Sequence, residues 1–322
     1  MPNLMDSKPE TSHTSSLINA SSKTLSIIVT AHNMQNYILD CLNSIISSAA
    51  ESLKSCEIII INDSSEDETG KIMIEFAKKR QVAYFQTNFK NIGRVRNYGV
   101  GLCTGDYITM VDGDDRLFAE SLHKIIHFLE EKKPDIYISP LHACKEIMSK
   151  NRTCEWRKPT KMTQNESIKS FLIHKKFQAH FIGKIIHRDL FTHSCFPEYT
   201  CYEDAWLFPI ILSKSESIYF GGEFYIYNVR ENSLSNTINK EKISYLASSI
   251  LKMDDSFGEK YRHLTACHAI NLLWRYRELI SSNNLGEINS ILTRTSKLKL
   301  LLSPSVRLSF KKKYAKLLAG KK

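Results

Sequence analysis

The chain has 322 residues, 42% hydrophobic and 24% charged, a composition that suits one large globular domain with an accessory part and excludes a fibrous or wholly disordered chain. Its formal charge of +10 is uneven: residues 291–322 carry ten basic residues and no acid, which leaves the first 290 balanced at 34 against 34, with little electrostatic support for binding nucleic acid. The longest apolar runs, such as Ile58 to Ile61, are far too short to cross a bilayer, and eight cysteines without a C-x-x-C pair fit reduced, buried thiols better than disulfides or zinc ligands.

Residues 1–23 are polar and rich in Ser and Thr, with no apolar centre of the kind a secretory signal needs. They read as a disordered leader on a cytoplasmic chain. LSIIVT, from Leu25 to Thr30, reads as a short buried strand, and a helical pattern marked by Ile38, Leu42, Ile45 and Ile46 runs on to Ser48. A second strand, Glu57 to Asn62, ends at Asp63. Acids Glu66, Asp67 and Glu68 are placed in the first turn of the next helix, where the macrodipole favours them, and Lys78, Lys79 and Arg80 close it. A third strand, Val82 to Thr87, leads through Asn91, Ile92 and Gly93 into a helix beginning near Arg94 and ending at the turn Cys103 to Gly105.

The segment that follows, DYITMVDGDDRLF from Asp106 to Phe118, is an apolar ramp running into three carboxylates, Asp112, Asp114 and Asp115. A buried strand that ends in acids delivers them to the carboxyl edge of a sheet, where open α/β folds bind ligands. Asp112 and Asp114 alternate about Gly113 and can converge on one point suited to a hard divalent cation. A strand end with an acidic turn is the plainer alternative. A helix from Leu117 to Glu131 and a fifth strand from Asp135 to Pro140 complete the first half. Strands alternating with helices at intervals of roughly 25 to 30 residues imply a doubly wound, mostly parallel sheet flanked by helices. The first strand-to-helix turn, T-A-H-N-M-Q-N, has neither a dinucleotide nor a P-loop fingerprint.

The second half is less regular. Glu155 to Lys158 reads as an edge strand, Asn165 to His174 as a helix, and Phe181 to Phe191 as another helix carrying Lys184, His187 and Arg188. Glu203 and Asp204 enter an apolar helical run through Phe208, Phe224 to Arg230 reads as an aromatic strand, and the pattern from Lys240 onward is helical. Ser305 to Leu318 reads as a basic amphipathic helix in which Val306, Phe310, Tyr314, Leu317 and Leu318 share the apolar side, a pattern that suits contact of residues 303–322 with an anionic membrane surface, or a capping helix.

Five elements occur in an order and spacing that resemble family 2 glycosyltransferases of the GT-A fold, in the style of capsule and lipopolysaccharide enzymes. They are the strand ending T-A-H-N, EIIIINDSSEDET, N-I-G-R-V-R-N-Y-G, VDGDD and YEDAWLF; F-Y-I-Y-N-V-R-E-N-S-L-S adds a sixth. The likeness spans residues 24–236, with residues 237–322 as a helical C-terminal region. It implies that Thr30, His32 and Asn33 line a uridine pocket and that Asp63 accepts a hydrogen bond from uracil. It further implies that Asp112 sits by the ribose and metal, that Asp114 ligates Mg2+ or Mn2+ on the diphosphate, and that Asp204 is the general base. Arg96 and Asn97 match the family's A-R-N, with Val95 where Ala is usual. Asn228 stands where Arg is frequent, and Arg230, two residues on, is expected to take the diphosphate contact.

The activity implied is transfer, with inversion, of a hexose or N-acetylhexosamine from a UDP-sugar to a glycan or lipid-linked acceptor, on the inner face of the cytoplasmic membrane. The competing readings are a nucleotidyltransferase on a similar sheet, which would need a Gly-rich loop and a Lys after the first strand, and a catalytically idle sugar-nucleotide or glycan-binding protein.

Overall fold

The computed structural model describes residues 23–144, 153–191, 195–229 and 238–319. The expected leader up to residue 22 and Arg230 lie outside the described residues. The first half runs β1 (Leu25–Ala31), α1 (Ile38–Ala49), β2 (Cys56–Asp63), α2 (Thr69–Arg80), β3 (Ala83–Thr87), α3 (Ile92–Leu102), β4 (Tyr107–Asp112), β5 (Arg116–Leu117), α4 (Ser121–Lys132), β6 (Ile136–Ile138) and β7 (Leu141–Cys144). The second half runs β8 (Thr160–Met162), α5 (Gln164–Leu172), β9 (Lys184–His187), α6 (Glu203–Lys214), β10 (Ile218–Phe220), β11 (Tyr225–Asn228), α7 (Lys240–Tyr276), α8 (Ser282–Arg294), α9 (Lys297–Leu302) and α10 (Leu308–Leu318).

Eight strands form one sheet in the order β3-β2-β1-β4-β9-β6-β10-β8, and β5-β11-β7 form a small second sheet. The pairs β2–β3, β1–β2, β1–β4 and β6–β10 are parallel. The strands of the first half are nearly continuous apolar runs because helices cover both faces, as a parallel sheet requires. One apolar core lies on each side of the sheet, the first under α1 and α4, the second running from Ile28 and Val95 through Phe208 to Ile270 and Tyr314. The second core therefore ties the C-terminal helices to the sheet.

Several expectations need correction. Phe181 to Phe191 is not a helix: Lys184–His187 is strand β9, inserted antiparallel between β4 and β6. A strand buried on both faces loses the alternation that betrays strands, so Ile182, Ile185 and Ile186 look the same as a helical interior. Glu155–Lys158 forms no strand; the edge is Thr160–Met162. The helix after the aspartates begins at Ser121, because Arg116–Leu117 first pairs with β11. Glu66, Asp67 and Glu68 precede α2 rather than fill its first turn: Asp67 spends its carboxylate on the N–H groups of Gln35 and Thr69.

The terminal helix packs largely as the capping alternative expects. Val306 and Tyr314 are buried, and Phe310 and Leu317 pack against the same core. Lys313 and Lys316 lie 5.7 and 5.8 Å from the ring centre of Trp274 on α7. Phe310, Tyr314 and Leu317 of α10 thus face the protein, whereas Leu318 stays exposed.

Candidate active site

The site is built at the carboxyl edge of the sheet. In the parallel register Thr30 stands beside Asp112 and Ala31 beside Asn62, so the ends of β2 and β4 flank the end of β1 and place Asp63 and Asp112 on either side of the loop Ala31 to Asn33. Gly113 follows from that closeness: a Cβ there would lie 3.0 Å from the Ala31 methyl and 3.1 Å from the Thr30 carbonyl oxygen, which accepts the Gly113 N–H at 2.9 Å. Non-glycine residues with positive φ follow three strand ends, Asn33 at 53°, Ser64 at 58° and Lys90 at 49°. Such backbone is sustained only where the surroundings fix it, commonly at binding sites.

The loops after β1 and β2 are laced together. His32 Nδ1 lies 2.7 Å from the Asp63 carbonyl oxygen, Asn33 N–H donates to Ser65 Oγ at 3.0 Å, and Asn33 Oδ1 accepts from Glu66 N–H at 2.8 Å. Asp63, buried, receives Thr87 Oγ1 at 3.0 Å and Phe89 N–H at 2.7 Å on one carboxylate oxygen. Three strand ends thereby share one rigid rim.

Arg96 joins the two halves of the chain. Buried on α3, it pairs with Glu203 at the start of α6 and lies 3.5 Å from Asp112 Oδ1 at the end of β4. Opposing its own burial, the charges of Glu203, Asp112 and Asp204 raise its affinity for its proton. Burial pushes the Glu203 carboxyl up to about 7, against the pull of Arg96. Asn97 clamps the backbone of Phe196: its amide donates to the carbonyl and its oxygen accepts the N–H, both at 2.9 Å. Gly93 is required because a Cβ would collide with the Pro197 carbonyl. The glycine and the asparagine of N-I-G-R-V-R-N are thus both read by the segment that leads to Glu203-Asp204.

Asp204 sits at the N-terminus of α6, where the helix dipole favours its charge. His180 Nδ1 lies 3.2 Å from its Oδ2 and the Ala205 N–H 2.6 Å from its Oδ1. An ionised carboxylate only accepts, so Nδ1 carries the proton. Burial works against ionisation, but the His180 hydrogen bond and charge, Arg96 and the Ala205 N–H together hold Asp204 below its ordinary value. Beneath it Lys184 is buried, donates to the His180 carbonyl and lies 4.7 Å from the Phe208 ring centre. Burial pushes its ammonium down to about 7 although Asp204 opposes.

Asp115, treated in the sequence as a third acid in a row, is a structural tie. It is buried, accepts Tyr225 OH at 2.7 Å and Asn228 N–H at 2.8 Å, and Tyr225 OH in turn accepts the Asp112 N–H at 3.1 Å. β11 is thereby locked to the aspartate turn. Burial, then the charges of Asp112 and Asp114, push Asp115 up to about 8. Such crowding of negative charge is what a divalent cation relieves. Among the described residues no three His, Cys, Asp or Glu gather as ligands. Half-buried Asp112 and Asp114 offer the carboxylate oxygens that a hard divalent cation takes.

His180, Lys184, Glu203 and Tyr225 had no site role in the sequence reading. His180 and Lys184 escape notice because nothing local marks them; their partner lies some twenty residues on, across the strand taken for a helix. No helix among the described residues is long and apolar enough to cross a membrane.

The chain is 28% identical over 220 residues to glycosyltransferase GlyA of Streptococcus pneumoniae serotype 4, covering 66% of this chain and 31% of GlyA. It is 26% identical over 215 residues to minor teichoic acid biosynthesis protein GgaB of Bacillus subtilis, covering 65% of this chain and 23% of GgaB. The chain thus spans a third or less of these two relatives. TarS 1–349 of S. aureus in complex with UDP superposes with a TM-score of 0.65 at 18% identity over 92% of both chains, and its complex with UDP-GlcNAc with 0.63 at 19%. That likeness shares the fold, a GT-A-like sheet with a helical C-terminal extension. Since residues 26–191, more than half of the sequence, match the model of glycosyl transferase family 2, the chain belongs to that family.

Proposed function

We propose that the chain moves a hexose or N-acetylhexosamine from a UDP-sugar to a hydroxyl of a glycan or lipid-linked acceptor, with inversion, in the synthesis of a bacterial surface polysaccharide on the cytoplasmic side of the membrane. The observation that carries this reading is Arg96, which holds Asp112 at the strand edge and Glu203, the neighbour of Asp204, around one buried guanidinium. This supports a donor-side acid and an acceptor-side base acting in one site. The UDP and UDP-GlcNAc bound by TarS support a UDP-sugar donor, and the name of GgaB supports a surface-glycan product.

In this mechanism Asp63 accepts the uracil N–H, the loop Thr30 to Asn33 lines the base, and Asp112 faces the ribose. Asp112 and Asp114 would hold Mg2+ or Mn2+, which neutralises charge developing on the diphosphate as the sugar departs. A sugar hydroxyl is a poor nucleophile near neutral pH, so Asp204, ionised, takes its proton as the oxygen bonds to the anomeric carbon. The bond from that carbon to the nucleotide breaks and its electron pair leaves with UDP. One base and one displacement turn an α-linked donor into a β-linked product. His180 keeps the carboxylate oriented, and the buried Lys184 fixes the His180 backbone. The test is UDP release from UDP-Glc, UDP-Gal, UDP-GlcNAc and UDP-GalNAc with Mn2+ present, comparing the wild type with Asp204→Asn. Turnover with one donor is expected, falling roughly 10²- to 10⁴-fold in the variant while UDP still binds. No release from any donor, or a fully active variant, overturns the assignment.

A further inference from the structure

Among the described residues ten large hydrophobic side chains stand exposed, and half lie between residues 298 and 318: Leu298, Leu301, Leu302, Leu308 and Leu318. The first three fall at i, i+3 and i+4 on α9 and so share one face. Leu300 alone turns inward and is fully buried, which anchors α9 with its leucine face outward. Leu298 and Leu302 are 69% and 71% exposed. No acid follows Glu287, and Lys297, Lys299 and Arg307 border these leucines along the chain. Where α9 passes into α10, a hollow of about 150 Å3 is walled mainly by apolar side chains, among them Leu172, Ile173, Leu264 and Phe310, with Ser305 and Arg307 also lining it.

We infer that α9 and the start of α10 form a docking surface for an anionic phospholipid bilayer. The leucines enter the acyl boundary, while Lys297, Lys299 and Arg307 meet lipid phosphates. Charge selects this occupant: a segment with basic residues and no acid of its own would repel a second copy of itself and attract a negatively charged surface. The surface does not include Phe310, Tyr314 and Leu317 of α10, which are spent on the core. The inference does not depend on which sugar is transferred.

The test is co-sedimentation of the full chain, without nucleotide, with vesicles of phosphatidylcholine alone or mixed with phosphatidylglycerol. Binding to the mixed vesicles only is expected, weakening with salt. Leu298→Gln/Leu301→Gln/Leu302→Gln should bind roughly ten-fold or more weakly. Lys297→Glu/Lys299→Glu, a second variant that leaves the leucines in place, should lose roughly five-fold per charge removed. Both should keep the wild-type melting temperature and rate of UDP release, which separates failure of docking from failure of the proposed activity. Equal binding by wild type and variants, equal binding to neutral vesicles, or self-association in light scattering without vesicle binding overturns the inference.

Discussion

Replacing Arg96 by Met removes the cation that Asp112 and Glu203 share while keeping most of the side chain's apolar length against the Phe196 ring, 5.7 Å away. Both partners of the Arg96–Glu203 pair are almost inaccessible, with side-chain exposures of 8% and 6%. Breaking a buried pair by removing one member leaves an uncompensated charge, at a cost of about 3–5 kcal/mol. The pH dependence fixes the cause. The folded Glu203 carboxyl lies at about 7, above its unfolded value, so protonation favours the native state. That contribution is complete in acid and is lost as pH rises through about 7. Without Arg96 the folded value rises further, so the deficit against wild type should be smallest in acid and grow through neutral to alkaline pH. Denaturant unfolding of wild type, Arg96→Met and Arg96→Met/Glu203→Gln at about pH 6 and about pH 8 reads this directly. The double variant should recover part of the loss at the higher pH. A deficit that is absent, equal at both pH values or larger in acid would refute the pairing as the link between the two halves of the site.

Asp114→Ala should abolish the Mn2+-dependent part of UDP binding in calorimetry while the fold persists; unchanged metal-dependent binding would reject its role as a ligand. Gly93→Ala drives a methyl into the Pro197 carbonyl, and overpacking of this kind costs about 1–3 kcal/mol. Because the displaced segment leads to Asp204, kcat should fall more than UDP affinity, as steady-state kinetics beside UDP titration would show. Tyr225→Phe deletes the hydroxyl that serves both Asp115 and the Asp112 N–H, leaving buried polar groups short of a partner at about 1–3 kcal/mol. A melting temperature equal to wild type would remove β11 as a brace of the aspartate turn.

Much of the first half is legible in the sequence because its signals are local. β1, β2 and β4 are apolar runs that end in polar residues, and a parallel strand carries such residues to one edge of the sheet whatever the rest of the chain does. Asp63, Asp112 and Asp114 could therefore be located from their neighbours, as could the acid pair Glu203 and Asp204 at a helix start. The terminal helix α10 was legible as amphipathic, but periodicity states only that an apolar side exists. What it meets is a matter of tertiary packing, and here it meets α7.

Only the fold decided how these pieces serve one another. Arg96 and Glu203 are 107 residues apart, and Asn97 reads the backbone of a segment 99 residues on. Neither partner leaves a mark near the other in sequence. β9 hid as a helix because burial on both faces erases the two-residue alternation, and with it went the setting of His180 and Lys184 around Asp204. The sequence alone determined which acids stand at the strand ends, since that follows from residue order and strand geometry. Which of them are braced, ionised or spent on structure was settled by burial and long-range pairing, which exist only once the chain has closed on itself.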